Sequence, residues 1–416
     1  MHDTKQNTFD VAIIGGGASG FFAAVQLSDL RPDLTIVLLE KTEQVLSKVK
    51  VSGGGRCNVT HRNMPVKAFA KHYPRGEKEL RKLFETFSAE DTVTWFQKKG
   101  VILKTEADGR MFPESNSSQT IIDCFLSEAK KNKVKILTGC SVLNLQKTVD
   151  GFNIETALHD TLKVQRIIAC TGAKPNTNHY AWLRNSQANI TTLYPSLFTF
   201  NAEQHVLKSL AGVAVPNARV RIRNSKLEEQ GPVLITHWGL SGPAILRLSA
   251  WGAVELAEKD YTFDALIAWD NSFTELALKE KIKQLIKEHG KKKIINTPIE
   301  PTPKRLWEML IQNADISDEL IWNNIPLKQT NKLIEQLMSY PFSVKGKTTF
   351  KEEFVVAGGV ALDEVHLDRM ESKAIPGLYF AGELLNIDGI TGGFNFQAAW
   401  TTAFIATKSI ANEYVK

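Results

Sequence analysis

The feature that most constrains this chain is a glycine run set between two apolar stretches. Gly15-Gly16-Gly17-Ala18-Ser19-Gly20 follows the β-branched segment Phe9 to Ile14 and opens Ala18 to Leu30, whose apolar residues recur at helical spacing. Strand, tight turn and helix in that order are the context that G-x-G-x-x-G requires. Gly15 permits the sharp turn, Gly17 removes a side chain where a pyrophosphate must touch backbone, and Gly20 lets helix and strand pack closely. Ala18 and Ser19 begin the helix, whose free N–H groups face an anion. Leu34 to Leu39 is a second apolar run ending at Glu40, which completes a βαβ unit with parallel pairing. Glu40 stands 20 residues after Gly20, where a carboxylate accepts from ribose hydroxyls and repels a ribose 2′-phosphate. The nucleotide is therefore read as the adenosine end of FAD or NAD, against the bland alternative of a glycine-rich turn that binds nothing.

Beyond the first forty residues the pattern stays α/β. Ile121 to Lys131 reads as a helix, Val134 to Thr138 and Ser141 to Lys147 as strands, and Ile167 to Cys170 as a buried strand ending at Thr171-Gly172. From about Pro195 to Lys347 the texture changes to alternating stretches, such as Ala218 to Ile222 and Thr262 to Ala268, and a Lys-rich helical tract from Phe273 to His289. Phe354 to Ala357 and Leu378 to Ala381 return to strand character before a helix from Asn395 to Ala411. The chain is thus read as a Rossmann-like domain formed by residues 1–194 and 350–416, with residues 195–349 inserted.

Composition removes several classes. At 43% hydrophobic and 23% charged residues the chain is neither disordered nor collagen-like. Cys57, Cys124, Cys140 and Cys170 lie too far apart for a C-x-x-C metal or redox pair. Met1 to Asp10 lacks the basic and apolar regions of a secretory signal, and no stretch supplies about 18 clean apolar residues for a membrane span. A cytosolic protein is predicted.

Two further glycine clusters favour FAD over NAD. Ser52-Gly53-Gly54-Gly55-Arg56-Cys57-Asn58 follows the second strand, and Gly382-Glu383, Asp388-Gly389 and Gly392-Gly393 precede the last helix. A long cofactor needs backbone approach at several points. A second helix amino end at Phe394 to Phe396 could stabilise the negative edge of reduced flavin, and Asp388 could accept from a ribityl hydroxyl.

These residues resemble a known family, the BaiN/RdsA-like NAD(P)/FAD-dependent oxidoreductases, bacterial flavoproteins with a two-dinucleotide-binding-domain fold of glutathione-reductase type. The resemblance runs through the Gly15 loop, Lys48, Ser52 to Asn58, Asp108-Gly109-Arg110 with Phe112-Pro113, Thr236 to Pro243, Gly358-Gly359-Val360, and Gly377 to Trp400. It implies that FAD lies along Gly15 to Gly20, Glu40, Lys41, Lys48, Gly54, Gly55, Arg56 and Cys57. It adds a backbone contact near Val142, the Thr171-Gly172 turn, and Gly382, Glu383, Asp388, Gly392, Gly393, Phe394 and Asn395. The insertion is implied to be a small β-barrel carrying a helical subdomain. Two departures stand out. Leu46-Ser47 replaces the family's Gly-Arg before Lys48, and Ala173-Lys174-Pro175-Asn176 replaces its Gly-Ser-Tyr-Pro turn.

The resemblance also implies a reaction. Members are linked to reduction of activated carbon–carbon double bonds, as in uridine of ribosomal RNA and in bile-acid dehydroxylation. NADPH or NADH would reduce FAD, N5 would deliver hydride to the electron-poor carbon, and an acid would protonate its neighbour. Cys57, beside the thiolate-favouring charge of Arg56, is the candidate proton donor or flavin-proximal thiol, the alternative being a small buried residue in a backbone gap. His61 and His237 are further candidates for acid or nicotinamide contact. Lys41 to Lys82 holds eleven Lys and Arg against three acids, a net of +8, which could steer ribosomal RNA or another anionic substrate or could be a solvated basic face. Other readings are an RNA- or ribosome-associated binding protein with structural FAD, a reductase of a small lipophilic substrate, and a plain NAD dehydrogenase.

Overall fold

In the computed structural model the described residues are 7–158, 161–174, 180–184, 189–202, 206–348 and 355–414. They fall into two units, Met1–Pro195 with Lys351–Lys416, and Ser196–Phe350.

The first unit is organised by a parallel sheet. β1 (Thr8–Ile14), β2 (Ile36–Leu39), β3 (Lys135–Leu137), β4 (Leu162–Ala169) and β5 (Leu378–Phe380) pair in the order β5-β4-β1-β2-β3. Ile13 sits between Leu38 and Ile168 in this register. β1 and β2 are covered on both faces, which is why they read as unbroken apolar runs rather than alternating ones. β4 starts earlier than the expected Ile167 because its first half alternates buried and exposed residues, pairing with the antiparallel strand Phe152–Thr156. Of the expected strand Phe354 to Ala357, Phe354 lies outside the described residues and Val355–Ala357 is strand.

Three helices position the site: α1 (Ala18–Leu30), α2 (Ser118–Lys131) and α3 (Phe394–Glu413). α1 packs against both others, through an aromatic cluster in which Phe22 lies 4.6 Å from Trp95 and 5.5 Å from Trp400, ring centre to ring centre. Burial on all sides explains why α1 lacks a polar stripe. The N–H of Gly382, just past β5, donates to Thr402 Oγ1 at 2.9 Å. The carboxyl edge of the sheet therefore meets the middle of α3, and the first turns of that helix project past it.

Two features of this unit have no counterpart in the periodicity. Ser47–Gly55 is helical only to its kink at Ser52. Thr60–His61, Leu103–Thr105 and Arg110–Pro113 form a small antiparallel sheet.

The second unit is a seven-stranded sheet in the order Tyr340–Lys345, Thr262–Ala268, Ala214–Ile222, Glu228–Ile235, Gly239–Ser241, Thr199–Asn201, Lys347–Thr348. The two end strands are consecutive in the chain across Gly346, so the sheet curls back on itself. Helices Glu275–His289, Lys304–Asn313 and Leu327–Met338 share one apolar core with it, built around buried Trp269, Trp307 and Trp322. His237 is exposed on the turn from Thr236 to Gly239 of this unit. Among the described residues no helix is long and apolar enough to cross a membrane.

Candidate functional site

The glycine run divides into closed and open positions. A Cβ on Gly15, where φ is +115°, would stand 2.4 Å from the Cys170 carbonyl oxygen, and one on Gly20 would stand 1.9 Å from that of Gly15. Those two glycines are demanded by packing. A Cβ on Gly17 would meet nothing within 4 Å, so this residue faces open space. Gly17 is also the cap position of α1, which has no side-chain cap and no acid in its first turn. Its leading N–H groups are thus left for another acceptor. Glu40 closes the loop from the side. Its Oε2 accepts the Gly16 N–H at 2.8 Å and its Oε1 accepts from the N–H and hydroxyl of Thr42 at 2.9 and 2.8 Å. About one of a carboxylate's four acceptor positions remains. Val142 begins the strand after Cys140, whose N–H donates to the Glu40 carbonyl at 2.8 Å.

A second group of residues gathers at the start of α1. A Cβ on Gly382 would lie 2.6 Å from Ser19 Oγ, and one on Gly172 3.8 Å from Glu383 Oε2. Glu383 pairs with Lys48 at 2.7 Å. The Thr171-Gly172 turn is pinned by Tyr180, whose hydroxyl accepts the Lys174 N–H at 2.7 Å and donates to the Gly172 carbonyl at 3.3 Å. Desolvation and the adjacent Lys174 ammonium pull the Lys41 pKa down. Of the divergent turn after Thr171-Gly172, Pro175 and Asn176 lie outside the described residues.

The Ser52 to Asn58 cluster earns its glycines through backbone conformation. Gly53, Gly54 and Gly55 all have positive φ, at +58°, +68° and +81°. Gly53 is closed by Phe112, whereas Gly54 and Gly55 are exposed with nothing within 4 Å of a Cβ. The charge expected to favour a Cys57 thiolate is directed elsewhere. Arg56 spends its charge on Glu106 at 2.6 Å and lies 4.0 Å over the Phe112 ring. Cys57 is fully buried, and burial pushes its thiol up to about 12. Burial of this kind favours the neutral thiol over the thiolate.

α3 begins at Gly393, φ +89°, where a Cβ would collide with the Thr60 backbone at 2.5 Å. Like α1, it has no side-chain cap and no acid in its first turn. Its position is fixed from outside. Asn58, with its amide oriented by its neighbours, accepts the Gly393 N–H at 2.9 Å and donates to the Thr60 carbonyl at 3.0 Å. Gln397 Oε1 accepts from the Thr60 and Thr92 hydroxyls, and Trp400 donates to the Val59 carbonyl. Asn395, expected to face the cofactor, uses its amide to bind the N–H and carbonyl of Gly389, both at 2.8 Å. Gly392 allows the turn between them at φ +135°.

Asp388 is held in an ion pair. Expected to accept from a ribityl hydroxyl, its carboxylate is fully buried and engaged through both oxygens by Nε and Nη2 of Arg75. Two imidazole rings stack on Phe394. His72 lies 4.3 Å from it at 11° and His61 5.0 Å at 17°. His61 Nε2 lies 3.1 Å from the Asp108 carbonyl, and burial lowers the pKa of the ring. The sequence reading missed Arg75, Tyr180, His72 and Gln397, which carry no local motif.

A family model described as the HI0933-like protein Rossmann domain matches residues 9–409. The chain belongs to that family. It is 28% identical over 417 residues to a 3-dehydro-bile acid delta(4,6)-reductase of Clostridium scindens, covering 96% of this chain and 98% of the relative. It is also 28% identical over 417 residues to a ribosomal RNA dihydrouridine synthase of Escherichia coli, covering 97% and 98%. Among solved structures, the 3-ketosteroid delta1-dehydrogenase of Sterolibacterium denitrificans in complex with 1,4-androstadiene-3,17-dione resembles it with a TM-score of 0.52 at 12% identity. That match covers 98% of this chain and 100% of the other, and it supports the fold.

Proposed function

We propose that this chain binds FAD in its first unit and uses NADPH or NADH to reduce an activated carbon–carbon double bond, with uridine in ribosomal RNA as the leading substrate. One observation carries the reading. Two uncapped helix ends, those of α1 and α3, are joined by the loop from Gly382 to Gly393, with open backbone at Gly17, Gly54 and Gly55. A Cβ on Gly382 would stand 3.8 Å from that of Ala399, five residues into α3. The amino end of α3 therefore reaches about 8 Å further out than Ser19, at 1.5 Å per residue. A diphosphate at α1, a linker along the loop and a ring at α3 fit that span.

When bound, FAD supplies two-electron chemistry between a nicotinamide and an electron-poor alkene. The residues of the chain bind and orient. Gly17, Ala18 and Ser19 offer N–H groups to the diphosphate. Glu40 offers its remaining acceptor position to the adenosine ribose, flanked by Lys41 and Val142. Lys48 and Glu383 border the ribityl stretch with Thr171 and Gly172. Gly54 and Gly55 let the ring approach backbone, and the first turn of α3 favours negative charge on it.

The RNA preference rests on a basic surface and on the relatives' chemistry. Arg62, Lys67, Lys71, Lys78, Arg81 and Lys82 are exposed just before, on and between the short helices Val66–Ala70 and Glu77–Leu83. A phosphate backbone would be steered by such a face, and a neutral sterol would gain little from it. Anaerobic mixing with NADPH and with NADH tests the reductase, since the yellow absorbance must bleach. Comparing modified nucleosides in ribosomal RNA from cells with and without the gene tests the substrate. Unchanged dihydrouridine would remove RNA and leave small lipophilic molecules.

A further inference from the structure

We infer that Arg75 is a positioning and charge-compensating residue whose pair with Asp388 sets the reduction potential of the bound flavin; this rests on the FAD reading above. The carboxylate of Asp388 is fully buried in the loop that leads into α3, and Arg75 is its ion-pair partner. The pairing extends to the backbone. Arg75 and Asp388 form an antiparallel bridge, and the Ile390 N–H donates to the His72 carbonyl at 2.9 Å. Tyr73, between these residues, donates its hydroxyl to the Phe394 carbonyl at 2.7 Å. Segment 72–75 is thereby fastened to both the loop and the first residue of α3.

Fastening alone does not require charge. A buried ion pair adds little stability over apolar residues of similar volume, whereas losing one partner leaves an uncompensated charge. The second fact is where this charge sits. Reduction of the flavin by two electrons and one proton adds one negative charge, which the amino end of α3 is placed to stabilise. A bare carboxylate at 388 would oppose that charge. The guanidinium fork cancels it through two hydrogen bonds. The pair is neutral as a whole, and each half alone is not.

The test is the two-electron midpoint of the FAD-loaded full chain at pH 7, read by equilibration against a reference dye, with bound FAD measured from absorbance. In D388N the arginine charge, no longer balanced by the carboxylate at 388, favours reduced flavin, and the oxidised-to-reduced equilibrium shifts at least about tenfold toward the reduced form, which is about 30 mV upward. The double variant R75M/D388N carries neither charge and returns to the wild-type value. Should D388N fail to fold, R75Q is read in its place, with a fall of similar size. Single variants that hold FAD yet keep the wild-type midpoint overturn the inference and leave the pair a fastening. A wild-type chain that takes up no FAD overturns the cofactor reading itself, an outcome visible before any potential is measured.

Discussion

Glu40 accepts the Gly16 N–H at 2.8 Å, a bond that ties the residue after β2 to the turn after β1. The carboxylate thus shapes the glycine turn, and the proposed ribose contact would take its remaining acceptor position. E40A removes both the charge-assisted bonds and the ribose acceptor, each worth about 1 to 3 kcal/mol. FAD affinity is expected to fall at least about tenfold, or 1.4 kcal/mol, when apoprotein is titrated with FAD by fluorescence. Unaltered affinity would show that Glu40 serves the turn alone.

Gly17 and Gly20 make opposite demands. G20A drives a Cβ to 1.9 Å from the Gly15 carbonyl, so the loop must distort and the melting temperature of the apoprotein falls by several degrees, about what 1 to 2 kcal/mol produces. G17A meets no atom within 4 Å. It leaves apoprotein melting unchanged and weakens FAD binding, because the methyl stands where the diphosphate needs backbone. Equal effects of both substitutions on apoprotein stability would contradict this division.

Burial holds the thiols of Cys57 and Cys170 neutral up to about 12, against an ordinary value of 9.0. A raised folded pKa makes their contribution to stability complete below about pH 9 and loses it as pH climbs toward 12. Melting temperature should therefore drop across that window, and less steeply in C57A. Oxidation of reduced flavin by the alkene substrate in C57A is expected to stay within about threefold of wild type, as a buried neutral thiol that donates no proton to the alkene requires. A hundredfold loss would restore Cys57 as a reacting group.

The basic helices near α3 give a salt-dependent signature. A quadruple K67A/K71A/K78A/R81A variant should bind a structured RNA probe with a log-affinity against log-salt slope shallower by roughly 0.9 for each phosphate contact removed. Its FAD content and its reduction by NADPH should match wild type. An unchanged slope would mark the face as solvated.

How much of this was legible in the sequence depended on distance along the chain. α1 appears at its expected bounds because turn, helix and acidic residue lie within one local βαβ unit. The three-stranded sheet leaves no trace in the sequence pattern because its strands are two to four residues long, too short for a period to register. Cys57 illustrates a different limit. Arg56 beside it in sequence points its charge to Glu106, fifty residues on, so adjacency misjudged the electrostatics. Asp388 was placed on the right loop, and its partner Arg75 lies 313 residues away with no local signal linking the two. Local motifs marked the cradle, while the contacts that hold it came from tertiary packing.

The most direct measurement of the central claim is the flavin content of the purified full chain. Yellow protein is expected, holding about one FAD per chain that is released on unfolding and bleached by NADPH or NADH without air. Colourless protein that fails to take up added FAD would contradict it.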